Sequence, residues 1–270
     1  MLEQYHIGTN WEKFTNYCKN QSRGLKTGFA EIDKMIVGLP GLVTVMGEPK
    51  CCKSTFVMDI GLNKALEGHP VIMIDKENGI QRTRLRMLCA LAELSVGAIK
   101  GRRNQEEQEQ LDNATVKLQN LPIYYVDTVE QEALEILVKT ALNKHKKHCL
   151  IIADSLQSLI TDFKDRRGEI DFWIFYFNEL KKKYENYITI LVVSEKNRQA
   201  YGNSSRAGGA ESRGIEYKSE MVLDMYPTSD GAAIGIECTY NRDGDTGVLS
   251  TLTRPNPYCY KLAENETLPE

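Results

Sequence analysis

From Leu42 onward the chain alternates short apolar runs with longer segments whose apolar residues recur at helical spacing. The short runs are Leu42–Met46, Val71–Ile74, Ile123–Val126, Leu150–Ala153 and Ile188–Val193. Between them, Phe56–Leu66, Arg82–Leu94, Asn104–Gln119, Glu132–Lys147 and Glu169–Tyr184 read as helices. The first ends at Gly68 with Pro70 just beyond, a helix-stopping pair. Asn104–Gln119 is polar but sets Leu111, Ala114 and Leu118 on one face. In the aromatic stretch from Asp171 to Asn178 the helical period groups Trp173 and Phe177 with Leu180, which predicts a core stripe rather than a base-stacking platform. Short apolar runs separated by helices are strands buried on both faces. They predict an α/β fold with a central, mostly parallel twisted sheet flanked by helices. From about Met221 the long helices stop, and Met221–Met225, Ala233–Thr239 and Val248–Thr253 predict antiparallel strands at the C-terminal sheet edge.

The first residues follow another pattern. Thr9-Asn10-Trp11-Glu12 has the form of a capping box, and Trp11, Phe14 and Cys18 then recur at helical spacing. Residues 1–24 thus read as an N-terminal helix and linker, 25–262 as the main domain and 263–270 as a polar tail. Composition adds little to this: 41% hydrophobic and 26% charged residues are an ordinary globular mix. No apolar run approaches the ~18 residues that span a bilayer, and the N-terminus lacks the form of a secretory signal. A cytoplasmic protein with no membrane association is expected. The net charge of −3 excludes a uniformly basic nucleic-acid coat while leaving room for a local basic surface. Seven cysteines with no C-x-x-C spacing read as reduced thiols rather than a metal or disulfide framework. His145 and His148, in Lys144-His-Lys-Lys-His, read as a solvated helix end.

The chemistry starts where the first apolar run stops. Gly47-Glu48-Pro49-Lys50-Cys51-Cys52-Lys53-Ser54-Thr55 has the length and the Lys-Ser ending of a Walker A loop, but not its penultimate glycine. It follows a strand and opens a helix, where backbone N–H groups and the helix N-terminus cradle phosphate. In that context Lys53 reaches the β- and γ-phosphates of ATP, and the Ser54 hydroxyl ligates Mg²⁺. About a hundred residues on, Cys149-Leu-Ile-Ile-Ala-Asp154 ends an apolar strand in an acid, the Walker B pattern. Such a strand carries Asp154 to the carboxyl edge of the sheet as a second metal residue. A third strand, Val71–Ile74, ends in Asp75-Lys76-Glu77, where a carboxylate is placed to orient or deprotonate a water.

Together with these motifs, several blocks resemble the C-terminal ATPase domain of DnaB-type replicative helicases, within the RecA-like P-loop superfamily. They are Lys26–Met35 with Gly38-Leu-Pro, Arg86–Cys89, Leu121–Asp127, Ile152–Gln157, Ser194–Arg198, Gly214-Ile215-Glu216 and Arg242–Gly247. The resemblance covers residues 25 to 262. It implies a catalytic glutamate at Glu77, nucleotide and metal roles for Lys53, Ser54 and Asp154, and a γ-phosphate-sensing position at Glu195. It implies an arginine finger at Arg242 that reaches a neighbouring subunit's ATP. It further implies a homo-oligomeric ring, a hexamer, on single-stranded DNA. The loop bearing Lys164, Arg166 and Arg167, and the loop from Lys196 to Arg213 with Arg198 and Arg206, are then expected to face the DNA channel. Basic residues on such loops suit backbone tracking without sequence readout.

The chain departs from the family pattern at Lys50 and Cys52, which replace loop glycines, at Glu195 in place of a glutamine, and at Tyr240 in place of a basic residue. These substitutions bear on hydrolysis more than on binding. They keep open a RecA-like DNA-binding ATPase that uses ATP as an assembly switch without unwinding, and a nucleotide-binding partner protein with no DNA role.

Overall fold

A computed structural model of the 270-residue chain describes residues 24–127, 130–159, 166–196, 218–229, 231–254 and 260–264. It also describes isolated positions 6–9, 11, 12, 15 and 215. Of the expected N-terminal helix, only Trp11, Glu12 and Thr15 are described, all helical. Among the described residues nine strands form one sheet in the order β3-β2-β4-β5-β1-β6-β7-β8-β9. They are β1 (Leu42–Gly47), β2 (Val71–Ile74), β3 (Ile123–Val126), β4 (Cys149–Ala153), β5 (Ile188–Val193), β6 (Met221–Pro227), β7 (Ile234–Asn241), β8 (Gly247–Thr253) and β9 (Ala263–Glu264). The described helices are α1 (Ala30–Met35), α2 (Lys53–Leu66), α3 (Ile80–Ala92), α4 (Val96–Lys100), α5 (Gln105–Asn120), α6 (Gln131–His145) and α7 (Arg166–Lys183).

β1 lies between β5 and β6 and is parallel to both, so all six of its residues are buried. Its pleat divides the core. Val43 and Val45 face Phe56, Val57 and Ile60 of α2, while Leu42 faces the side covered by Trp173, Phe177 and Leu180 of α7. Trp173, Phe177 and Leu180 are therefore core, as the helical period requires, while Phe172 and Phe175 of the same stretch are exposed. α5 starts at a complete capping box, with the Asn104 side chain accepting from Glu107 N and the Glu107 carboxylate from Asn104 N.

Three expectations are corrected. Met221–Pro227 is antiparallel only on its β7 side: on the other it pairs parallel with β1, with Val43 opposite Met221 and Gly47 opposite Met225, so it joins the antiparallel strands to the parallel sheet. A parallel return needs a crossover of a dozen or more residues, and the stretch from 194 to 220 between β5 and β6 is long enough for one. The antiparallel pairs are β6–β7, β7–β8 and β8–β9. Ala263 and Glu264, assigned to the tail, form β9 instead, and the Glu264 carboxylate accepts from Glu31 N and Ile32 N at the start of α1. His148 is not at a solvated helix end, because α6 stops at His145. It precedes β4, bonds Thr189 Oγ1 at 3.0 Å, and is pushed down to about 4 by burial and then by His69.

Candidate functional site

The carboxyl ends of β1, β2, β4 and β5 meet at one sheet edge, which gathers the phosphate loop, Glu77, Asp154 and Glu195. The loop leaves β1 at Gly47, where an added Cβ would stand 2.3 Å from Met225 O. It turns through Lys50 at φ 68° and Cys52 at φ 65°, both left-handed. Those are the two positions at which the sequence lacks the expected glycines. The glycine conformation is thus kept without glycine, at a strain of roughly 1–2 kcal/mol per residue. Cys52 is the N-cap of α2, so the loop hands the chain directly to the helix N-terminus. Lys53 is buried, and its ammonium donates to Gly47 O at 3.0 Å and Glu48 O at 2.7 Å. It lies across the mouth of the cradle.

Asp154 is 7% exposed and hydrogen-bonded to Ser54. Burial, then Asp75 and Glu77, push its carboxyl up to about 6, while Ser54 and Arg86 pull it back. A hydroxyl and a carboxylate are the hard oxygen donors that Mg²⁺ takes, so this pair fits the ion. Asp75 and Glu77 separate into two roles. Asp75 is buried and accepts from Glu77 N at 3.0 Å, Asn78 N at 2.9 Å and Thr83 Oγ1 at 3.2 Å. It builds the turn, and Glu77 stands exposed on top of it. Glu195 is also exposed at this edge, its backbone N–H on Gln157 Oε1 at 3.4 Å.

Arg242 lies elsewhere. It begins the β7–β8 hairpin, and its backbone N–H bonds Glu220 O at the foot of β6. Strand register puts it level with Leu42, five residues below Gly47, or roughly 17 Å at ~3.3 Å per residue. Two strand spacings add about 10 Å sideways. An arginine there does not reach its own phosphate loop.

The expected DNA residues divide. Lys164, Arg198, Arg206 and Arg213 lie outside the described residues. Arg166 and Arg167 belong to the first turn of α7 rather than to a loop, with Arg167 exposed. Lys196 contradicts the expectation of a channel-facing cation. Its ammonium is ion-paired with buried Asp224, and its N–H donates to Gly47 O at 3.2 Å. The pair braces the strand ends beside the phosphate loop. Asp224 Oδ1 is buried with no hydrogen-bond partner among the described residues, and burial raises that carboxyl above its ordinary range.

The sequence reading passed over two residues. The Arg86 guanidinium lies 5.2 Å over the Tyr260 ring and acts on Asp154. Arg254, one residue past β8, donates to Cys52 Sγ from Nε at 3.2 Å and from Nη2. The alternation of β8 ending beside the loop was the available signal for Arg254; Arg86 stood in a recognised block without a role.

The chain as a whole has counterparts among known proteins. The model of the DnaB-like helicase C-terminal domain matches residues 24–249. The chain belongs to that family. Among curated proteins it is similar to the replicative DNA helicase DnaC of Bacillus subtilis (strain 168), at 25% identity over 86% of this chain and 55% of that one. It is also similar to the probable replicative DNA helicase of Guillardia theta, at 26% identity over 66% of this chain and 31% of that one. The chain thus spans about a third to just over half of these relatives. Two solved structures share its fold at a TM-score of 0.81. They are the ATPase domain of G40P, 17% identical over 98% of this chain and 99% of that one, and a DnaB-like replicative helicase described with its primase interactions, 19% identical over 98% and 70%. The fold of this DnaB-like domain is therefore RecA-like. Among the described residues no helix is long and apolar enough to cross a membrane.

Proposed function

We propose that the chain is an ATP-driven motor on single-stranded DNA that works as a ring, each ATP site being completed by Arg242 of the adjacent subunit. The observation that carries this reading is the placement of Arg242 and the phosphate loop at opposite edges of one sheet. A finger useless to its own site fits a ring, where one subunit's lower edge meets the next one's upper edge.

The α2 N-terminus and the loop amides bind the phosphates. Lys53 exchanges the carbonyls of Gly47 and Glu48 for phosphate oxygens. Ser54 and Asp154 would hold Mg²⁺, which would supply charge neutralisation at the phosphates. Glu77, fixed by the Asp75 turn, accepts the proton of the attacking water. Arg242 stabilises the charge of the transition state, an effect worth ~10³–10⁵ in rate for such fingers. For assembly, the N-terminal helix with exposed Trp11 docks on the neighbour. A groove of about 740 Å³ between α3 and α5, lined by Ile80, Leu88, Leu118 and Leu121, suits an amphipathic helix.

A strand-displacement assay with ATP tests the proposal; an assembled ring that unwinds nothing rules out the helicase claim. The exposed carboxylate of Glu195, beside the phosphate position, favours a second reading in which ATP switches assembly and turnover is slow. Nucleotide-dependent assembly on single strands without unwinding would select it.

A further inference from the structure

The hairpin that carries Arg242 reads Arg242-Asp243-Gly244-Asp245, and both aspartates are exposed. Asn241 ties the tip internally, its Oδ1 accepting from Asp243 N at 3.4 Å and its Nδ2 donating to Asp245 O at 3.2 Å. An added Cβ at Gly244 would come within 2.6 Å of Asn241 Nδ2, so the tip is close-packed. Wherever this hairpin delivers Arg242, it delivers two carboxylates within a few residues of it.

A neighbouring ATP site is a poor place for them. Phosphates, Glu77, Asp154 and Glu195 already concentrate negative charge there, and like charges brought together oppose docking. The receiving edge must offer a cation that is not needed for the phosphates. Lys53 is committed to the cradle. Arg254 is not: it is exposed, it stands at the rim of the loop, and its guanidinium rests on the Cys52 thiol. Sulfur is a weak acceptor, whereas a carboxylate takes a guanidinium in short, charge-assisted, often bidentate bonds. Transfer from Cys52 to an aspartate is downhill for Arg254 and removes a side chain from the loop.

We infer that the Asp243–Asp245 tip of one copy pairs with Arg254 of the next, drawing Arg254 off Cys52 as the ring closes. The inference rests on Arg242 acting in trans, and it names the residues that hold the finger in place. It makes Arg254 a positioning residue: it grips the hairpin and leaves phosphate contact to Lys53 and Arg242.

The test uses the full chain and reads subunit association by sedimentation, with and without ATP. Reversing the tip (Asp243→Arg with Asp245→Arg) or the rim (Arg254→Glu) should each weaken association about tenfold, within the range for contacting residues. The combined variant should recover to near wild type, and raised salt should shrink all three effects. Additive losses, or reversals without effect, overturn the pairing. A parallel mixture of Arg242→Ala and Lys53→Ala subunits separates this from the underlying reading. Each is inactive alone, and a trans finger restores ATP hydrolysis on mixing. Restored hydrolysis without charge-swap recovery removes only the Asp–Arg pairing. A mixture that stays inactive removes the trans reading and the pairing with it.

Discussion

Replacing Cys52 with glycine should stabilise the protein, although it removes a side chain from the phosphate loop. The residue sits at φ 65°, ψ 18° as the N-cap of α2, where it makes no capping bond. A side chain in that conformation costs roughly 1–2 kcal/mol. Glycine relieves this but returns roughly 0.5–1 kcal/mol through the greater freedom of the unfolded chain. The contact with Arg254 is lost, yet that side chain is exposed and gains water. The net is a gain of about 0.5–1 kcal/mol, equivalent to a melting point raised by about 1–3 °C for a chain of this size. Cys52→Ala is the control, since it keeps the Cβ at positive φ and loses the thiol. Thermal unfolding of the nucleotide-free protein should therefore rank Cys52→Gly above wild type and Cys52→Ala at or below it. Equilibrium ATP binding should hold or improve in the glycine variant. If glycine and alanine destabilise alike, the strain argument is wrong and the thiol itself stabilises the loop.

Arg242→Ala should reduce ATP hydrolysis by ~10³–10⁵ while leaving ATP binding nearly intact; equal loss of both contradicts a trans role. Asp224 and Lys196 form an ion pair with side chains only 5% and 15% exposed. Lys196→Met alone should cost about 3–5 kcal/mol in a denaturant melt by leaving a buried carboxylate unpaired, whereas Lys196→Leu with Asp224→Leu should be close to neutral. A double variant as unstable as the single one would contradict this. Asp59, buried on α2 and accepting from Leu262 N at 2.8 Å, is raised to about 7, chiefly by burial. The folded state therefore holds a proton that the unfolded chain releases above about pH 4, so stability falls as pH rises from about 4 to 7. Asp59→Asn should lose that dependence, with an advantage over wild type that grows by at most about 1.4 kcal/mol per pH unit and levels off above pH 7. A constant difference across that window would show that Asp59 is ionised throughout.

What was legible in the sequence depended on how local its cause was. Val71–Ile74, Ile123–Val126 and Ile188–Val193 match their strands residue for residue: Pro70 and Pro122 mark the starts of the first two, and a polar residue, Asp75, Asp127 or Ser194, ends each run. α2 begins three residues before Phe56 because its first turn, Lys53-Ser54-Thr55, is polar and carries no apolar period; α3 begins two residues before Arg82, at Ile80 directly after Gly79. The parallel pairing of β6 was hidden, since direction depends on where the crossover lands and not on the strand's own residues. The same holds at the site. Glu77 and Asp154 could be placed from strand ends. The division of labour between Asp75 and Glu77 required seeing which carboxylate turns inward to the backbone. Lys196 looked like a DNA contact because its partner, Asp224, lies on a strand far along the chain.

The phosphate loop explains why motif quality and structural role separate here. Its conformation is enforced from outside. Gly47 ends a strand held on both sides by β5 and β6, its carbonyl accepts from Lys196 N and Lys53 Nζ, and Met225 O leaves no room for a side chain above it. Cys51 Sγ donates to Glu48 O at 2.9 Å, closing the turn from within. With its entry pinned by the sheet and its exit by α2, the loop between has one path, and Lys50 and Cys52 follow it at positive φ. Strain of this kind persists where surrounding structure over-determines the backbone. It is drawn from stability and leaves the geometry of the amides in place. Gly47 is the glycine the loop cannot lose, because its constraint is a clash with the neighbouring strand; Lys50 and Cys52 face only an intrinsic conformational cost, which a sheet of nine strands is able to absorb.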